Sequence, residues 1–342
     1  MLVSEFDYDL PDELIAQEPL LPRDHSRLMV LHRDTKTWEH RHFYDLPSYL
    51  APGDVLVLNE TRVFPARLLG RRAGTGGQVE LLLLRPLPDG RWEGLLRPSR
   101  RLRAGERLEF GDGRLVAQVE DDRGEGRRVV SLLASGPDVM AVIEAIGRVP
   151  VPPYIKKPLH DPGRYQTVYA RKTGSVAAPT AGLHFTPDLL KAIAEKGVHE
   201  VYITLHVGIG TFRPVRVETV EEHVMDEEFY EIPEKAAAEI NRARSEGGRI
   251  VAVGTTVCRT LESAVGEDGL LQPQSRSTNL FIRPGHRWRA VDALITNFHL
   301  PRSTLLMLVS SFAGREFIMA AYREAINQKY RFYSFGDAML IL

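Results

Sequence analysis

The pattern of apolar and polar positions changes character twice along this chain. From about Arg71 to Ser135 it alternates in short runs: Gln78–Arg85, Arg91–Arg97, Arg107–Phe110, Arg114–Glu120 and Arg127–Leu133. The breaks between them, Pro88-Asp89-Gly90, Gly111-Asp112-Gly113 and Gly124-Glu125-Gly126, supply the residues that tight turns require. Short strands at such spacing predict a small antiparallel barrel or sandwich. An apolar helix over Val139–Ile146 follows, and then Pro150-Val151-Pro152-Pro153-Tyr154, which cannot be helix interior and reads as a boundary.

Beyond that boundary, runs of strand length alternate with helical periodicity. Val201–Val207, Ile250–Val253 and Val291–Thr296 read as strands. Pro233–Ser245, Thr256–Val265, Ser303–Phe312 and Arg315–Gln328 read as helices, the first opened by proline and closed by Gly247-Gly248. In the last of these, Ile318, Ala321, Tyr322, Ala325 and Ile326 share one face. Repeated β-then-α units imply an α/β fold whose sheet is parallel or mixed and covered by helices. The buried run Asp54–Leu58 fits the same sheet. The expected organisation is therefore a discontinuous α/β domain over 1–70 and 150–342, with an antiparallel β-barrel inserted over 71–149.

Composition narrows the class. The 342 residues are 43% hydrophobic and 26% charged, ordinary values for a globular protein with room for two domains. The single cysteine, Cys258, excludes an intrachain disulfide, a Cys-built zinc site and the three-thiolate cluster of a radical enzyme. The opening Met-Leu-Val-Ser-Glu-Phe-Asp-Tyr-Asp lacks the basic start and apolar run of a signal peptide, so cytoplasm is the expected location. A monomer is the expected state, which no sequence feature fixes. Net charge is −1, yet residues 97–107 hold five arginines and one acid, whereas residues 218–239 are acidic. Segregation of this kind steers a polyanion to one side, or simply marks a solvated surface.

Candidate chemistry gathers at three strand-to-helix junctions and one strand exit. Gly174–Thr186 holds Thr180, Gly182 and His184 before a helix start; Thr204–Pro214 holds His206, Gly208, Gly210, Thr211 and Arg213 after a strand. Gly254-Thr255-Thr256 opens a helix whose free N–H groups and positive end suit a carboxylate or phosphate, although threonine is also an ordinary cap. Thr296–Thr304 places Asn297, His299, Arg302 and Ser303 at one sheet edge. The acidic run His223–Tyr230 offers Asp226 and Glu228 for acid–base work, or is only a solvated edge. No pair of histidines has a dedicated metal-ligand spacing, so no metal is assigned.

These strings, taken in order, resemble the S-adenosylmethionine:tRNA ribosyltransferase-isomerase family of queuosine biosynthesis. The resemblance runs from Phe6–Pro11, Leu14–Gln17, Arg23-Asp24 and Ser26–Leu28 through Asn59–Val63, Ala178–Thr186, Thr204–Pro214, Gly254–Thr256 and Ile295–Pro301 to Tyr330–Met339. One departure stands out. The family pattern His-x-Met-His-x-Glu here reads His223, Met225, Asp226 and Glu228, so a carboxylate occupies the place of an imidazole.

The resemblance implies transfer of the ribosyl part of S-adenosylmethionine to 7-aminomethyl-7-deazaguanine at the wobble position of tRNA. Isomerisation then gives epoxyqueuosine, with adenine and methionine released. S-adenosylmethionine would be a consumed substrate, and no cofactor is expected. It also implies an α/β domain with an inserted barrel. Proton transfer or adenine contact falls to His184, His206 and His299, with Asp226 and Glu228 as possible bases. The methionine carboxylate falls to Thr255 and Thr256, and ribose or RNA contacts fall to Arg213 and Arg302. Thr180, Gly182, Gly208, Gly210, Thr211, Asn297 and Ser303 complete the expected substrate pocket. Arg97, Arg100, Arg101 and Arg103 on the barrel are expected to meet tRNA phosphates. A metal-dependent hydrolase and a non-catalytic RNA-binding protein are the competing readings.

Overall fold

A computed structural model describes residues 1–99, 102–208, 210 and 215–342. The chain divides into two compact units, one of residues 1–62, 152–172 and 178–342, the other of 63–151 and 173–177.

The larger unit is built on a nine-stranded sheet among the described residues, in the order Gln274–Thr278, Glu228–Ile232, His199–Leu205, Val55–Asn59, Ile250–Val253, Ala293–Asn297, Ala338–Ile341, Arg27–His32 and Thr37–His42. Four central strands, His199–Leu205, Val55–Asn59, Ile250–Val253 and Ala293–Asn297, run parallel, so their carboxyl ends share one edge. Ala338–Ile341 runs against Ala293–Asn297, and Arg27–His32 runs parallel to Ala338–Ile341, which brings the starts of both to the same edge. Every residue of Val55–Asn59, Ile250–Val253 and Ala293–Asn297 is buried. That explains their unbroken apolar runs: a strand covered on both faces has no reason to alternate. Leu56, Leu58, Val251, Val253 and Ile295 pack with Phe185, Leu189 and Ile193 into one core. Burying one such side chain contributes about 1.5–3 kcal/mol, so this core fixes the sheet edge firmly.

The smaller unit is a closed antiparallel barrel of six strands, in the order Arg127–Ala134, Trp92–Arg97, Gln78–Pro86, Arg67–Arg72, Arg107–Phe110 and Leu115–Gly124. Val79, Leu81 and Leu83 alternate inward along one strand, and Leu115, Ala117 and Val119 along another. The strand Arg67–Arg72 pairs with Gln78–Pro86 and Arg107–Phe110, so the barrel claims residues before Arg71. Its sequence, Arg-Leu-Leu-Gly-Arg-Arg, has no alternation to mark it, although the glycine-rich Ala73-Gly74-Thr75-Gly76-Gly77 turn that follows bounds it. No single helix among the described residues is long and apolar enough to cross a membrane.

Candidate functional site

The shared carboxyl edge holds a cavity of about 590 Å³, a space that includes the open solvent at its mouth. Three of the junctions marked in the sequence form its rim: Thr180 from the first, Gly254, Thr255 and Thr256 from the helix start, and Thr296, Asn297, His299 and Ser303 from the last. Val207 comes from the fourth stretch, and Tyr154, Tyr333 and Ser334 close the cavity. Among the described residues, no lysine, arginine, aspartate or glutamate lines it.

At the helix Thr255–Ala264, Gly254 adopts φ +95°, which L side chains rarely allow, and so turns the strand directly into the helix. The N–H groups of Thr255 and Thr256 sit in the first turn, where no intrahelical acceptor exists, and the helix end is partially positive. Both threonines are buried at the cavity wall, and Asn59 Nδ2 reaches Thr256 Oγ1 at 3.4 Å. Free N–H groups at a partially positive helix end are suited to accepting a carboxylate.

Asn297 organises the opposite wall. Its Nδ2 donates to His184 Nε2 at 3.1 Å and to the Tyr333 carbonyl at 3.2 Å, while its Oδ1 accepts from Thr180 Oγ1 at 3.0 Å. Because His184 Nε2 accepts, its Nδ1 carries the proton and donates to Ser26 Oγ at 2.7 Å. The ring also stacks on Phe43 at 4.9 Å. Burial, with Arg331 and Arg23 nearby, pushes His184 down to about 3, so the ring is neutral. His184 therefore stands behind the cavity and holds Asn297, which in turn orients the Thr180 hydroxyl.

His299 is the imidazole that lines the cavity. Its Nε2 meets Thr296 Oγ1 at 2.9 Å, its N–H donates to Tyr322 Oη at 2.9 Å, and its carbonyl accepts from the Tyr8 hydroxyl. Burial alone pushes this ring down to about 3. Ser303 caps the helix Thr304–Ala313 through a 3.2 Å bond from the Leu306 N–H and donates to the Leu300 carbonyl at 2.7 Å.

A family model described as queuosine biosynthesis protein matches residues 3–341. This chain belongs to that family. The S-adenosylmethionine:tRNA ribosyltransferase-isomerase of Moorella thermoacetica is 59% identical over 342 residues, covering all of both chains. The relative of the same name from Symbiobacterium thermophilum is also 59% identical over 342 residues. A crystal structure of S-adenosylmethionine tRNA ribosyltransferase from Thermotoga maritima is similar with a TM-score of 0.57 at 43% identity, covering 99% of this chain and 100% of that one.

Within this member of the queuosine biosynthesis family, several residues expected at the site lie elsewhere. His206 does not line the cavity: its Nδ1 meets Thr61 Oγ1 at 2.8 Å and its ring stacks on Phe229 at 5.7 Å. Burial, reinforced by Lys172, holds it below its usual value. Glu228 is 5% exposed; its Oε1 accepts from the Gly208 N–H at 2.8 Å and its Oε2 pairs with Arg259, itself 3% exposed. These bonds tie the carboxylate to the strand exit. Asp226 is exposed and packs where a Cβ on Gly210 would stand, 2.4 Å from its Oδ2. Gly182 is required by packing, since a Cβ there would meet the Tyr169 hydroxyl at 2.1 Å. Arg302 is exposed, bonding Asp7 through Nε at 2.7 Å and through Nη2. Thr211, Arg213, Arg100 and Arg101 lie outside the described residues. Arg97 and Arg103 are exposed on the barrel unit. Among the described residues, no group of three or more His, Cys, Asp or Glu is placed to hold a metal ion.

Tyr154, Tyr333 and Arg259 were not anticipated. Tyr154 and Tyr333 pack with ring centroids 4.8 Å apart, and the Tyr154 hydroxyl meets Ser334 Oγ at 2.7 Å. The one available signal for Arg259 was an arginine inside an otherwise uncharged run, Thr255–Leu261.

Proposed function

We propose that this protein transfers and isomerises the ribosyl moiety of S-adenosylmethionine onto 7-aminomethyl-7-deazaguanine in the tRNA wobble position, releasing adenine and methionine. The observation that carries this reading is the cavity's lining. A sulfonium cation is repelled by lysine or arginine and trapped by a carboxylate; a wall of hydroxyls, amides, neutral imidazole and tyrosine faces accommodates it without either effect. The first-turn amides of Thr255 and Thr256 hold the methionine carboxylate.

The sulfonium acidifies the neighbouring 5′ carbon, so its proton passes to a base, a role open to the neutral His299 ring at the wall, and adenine departs more readily when hydrogen-bonded or protonated. In this scheme His299, neutral and at the wall, contacts the ribosyl–adenine part. Thr180, held by Asn297 and through it by His184, supplies a directed hydroxyl. His184 is a positioning residue in this scheme, and Glu228 supports the loop after His206. On the barrel, Arg97 and Arg103 contribute phosphate contacts to the tRNA.

The test is adenine release from S-adenosylmethionine, measured with tRNA carrying the aminomethyl precursor and with tRNA lacking it. Release that depends on the precursor supports the reading. Release independent of RNA, or none with a folded protein, refutes it.

A further inference from the structure

A second, shallower pocket, about 290 Å³ with the open solvent at its mouth included, lies beside the first in the larger unit. Ser334 lines both, and His184, which forms part of its wall, is bonded to Asn297 of the first. Its remaining wall includes Leu20, Arg23, Arg164 and the backbone turn at Phe335-Gly336.

The two guanidiniums are held without carboxylate partners. Arg23 donates through Nη1 to the Gln166 carbonyl at 2.7 Å and through Nη2 to the Gly163 carbonyl at 3.0 Å. Arg164 donates through Nη2 to the Leu20 carbonyl. Arg331, close enough to depress His184, donates through Nη2 to the Glu18 carbonyl, and its Nη1 has no hydrogen-bond partner. None of the three forms an ion pair with a described residue, although Asp161 stands near enough to favour the charged Arg23, and Asp337 and Glu18 the charged Arg331; the hydrogen bonds of these acids go elsewhere. Asp24 accepts from Thr186 Oγ1 at 3.0 Å, Glu18 binds Lys157 Nζ at 3.1 Å, and Asp161 caps the Gly163 N–H at 2.8 Å. Asp337 accepts the N–H groups of Arg27 and Arg331 at 2.9 and 2.8 Å. Burial first, and then the charge of Arg164, holds Arg23 below its usual value.

Arginines fixed by carbonyls keep their full charge and present a rigid fork, an arrangement suited to a tetrahedral oxyanion. Like charges gathered at a cavity are only partly compensated when the nearby acids, Asp161 for Arg23 and Asp337 and Glu18 for Arg331, make no ion-pair contact with them. We infer that this pocket is a subsite for a phosphate oxyanion, and specifically for a phosphodiester of the RNA next to the reacting nucleotide. The inference rests on the proposed function for its choice of RNA. Its position follows from the shared Ser334 wall: a base entering the first cavity leaves its backbone within reach of the second.

The experiment uses full-length protein and two variants. Arg164→Gln removes one charge; Leu20→Glu places a carboxylate at the lip from a side chain that is 37% exposed and so leaves the buried contacts intact. Affinity for an anticodon stem-loop is measured across a potassium chloride series and repeated in potassium phosphate at equal ionic strength, independently of turnover. Both variants are expected to bind about tenfold more weakly. In Arg164→Gln the slope of log affinity against log salt should flatten by about 0.7, the value for one phosphate contact on a single strand. Unchanged affinity and slope in a folded Arg164→Gln and in Leu20→Glu would overturn the subsite. Direct binding of inorganic phosphate to the wild type that both variants lose, with RNA affinity unaltered, would overturn the RNA assignment and leave a free-phosphate site. Adenine release by the wild type, followed in parallel, separates failure here from failure of the proposed function.

Discussion

Acidification should destabilise this protein well above the range in which its carboxylates titrate. His184 and His299 are 4% and 7% exposed, and burial pushes each down to about 3 in the folded chain. In the unfolded chain a histidine titrates near 6.5. Between those values the unfolded state binds protons that the folded state refuses, so unfolding free energy rises with pH across the window and is lost as pH falls below about 6.5. Each ring contributes up to roughly 1.4 kcal/mol per pH unit, and the pair up to about 3. The geometry makes the penalty concrete for His184: protonating Nε2 would set a donor against the Asn297 amide, whose other proton is already given to Tyr333. Urea unfolding of the wild type at pH 7.5, 6.5, 5.5 and 4.5 measures the slope directly. His184→Gln and His299→Gln should each reduce it by about 1.4 kcal/mol per unit. Stability that stays flat from pH 7 to 5, or a His184 resonance titrating near 6.5, would refute the neutral, hydrogen-bonded assignment.

Other perturbations read different parts of the account. Asn297→Ala should lower kcat for adenine release on the order of 100-fold, because Thr180 loses its orientation, with a smaller effect on the Michaelis constant for RNA; equal kcat would remove Asn297 from the site. Glu228→Gln leaves Arg259 buried without its counter-charge and should cost about 3–5 kcal/mol in denaturant unfolding, while a loss under about 1 kcal/mol would mean the pair is not as enclosed as described. Replacing Arg97 and Arg103 by Ala should weaken tRNA binding and flatten its salt dependence, with the Michaelis constant for S-adenosylmethionine unmoved; unaltered binding across the salt series would take these residues out of the RNA interface.

How far the sequence disclosed this arrangement depended on the physics of each element. Ile250–Val253 stands where its buried apolar run placed it, and the helix Arg315–Asn327 follows the face set by Ile318, Ala321 and Tyr322. The edge strands were opaque. Thr37–His42 and Gln274–Thr278 are mostly polar and exposed, so neither alternation nor an apolar run distinguishes them from loop. Arg27–His32, buried from Leu28 to Leu31, offered a readable run that went unassigned. At the site, glycine and threonine at strand ends mark sharp strand-to-helix turns, and Thr180, Gly254, Thr255 and Thr256 among them line the cavity. Sequence gave equal weight to each imidazole, yet only His299 among the proposed histidines faces the cavity. Ring direction is decided by partners distant in sequence, Ser26 and Asn297 for His184 and Thr61 for His206. Tyr154 lay hidden in the proline-rich segment, whose composition announced a boundary and nothing about the cavity.

The central claim is that the strand ends of the larger unit enclose the S-adenosylmethionine site. A crystal structure of the full-length protein grown with S-adenosylmethionine tests it most directly. The account predicts the ligand in the cavity of about 590 Å³, its carboxylate on the Thr255 and Thr256 amides and its ribosyl–adenine part against His299. Ordered ligand bound elsewhere, with that cavity left to water, would contradict it.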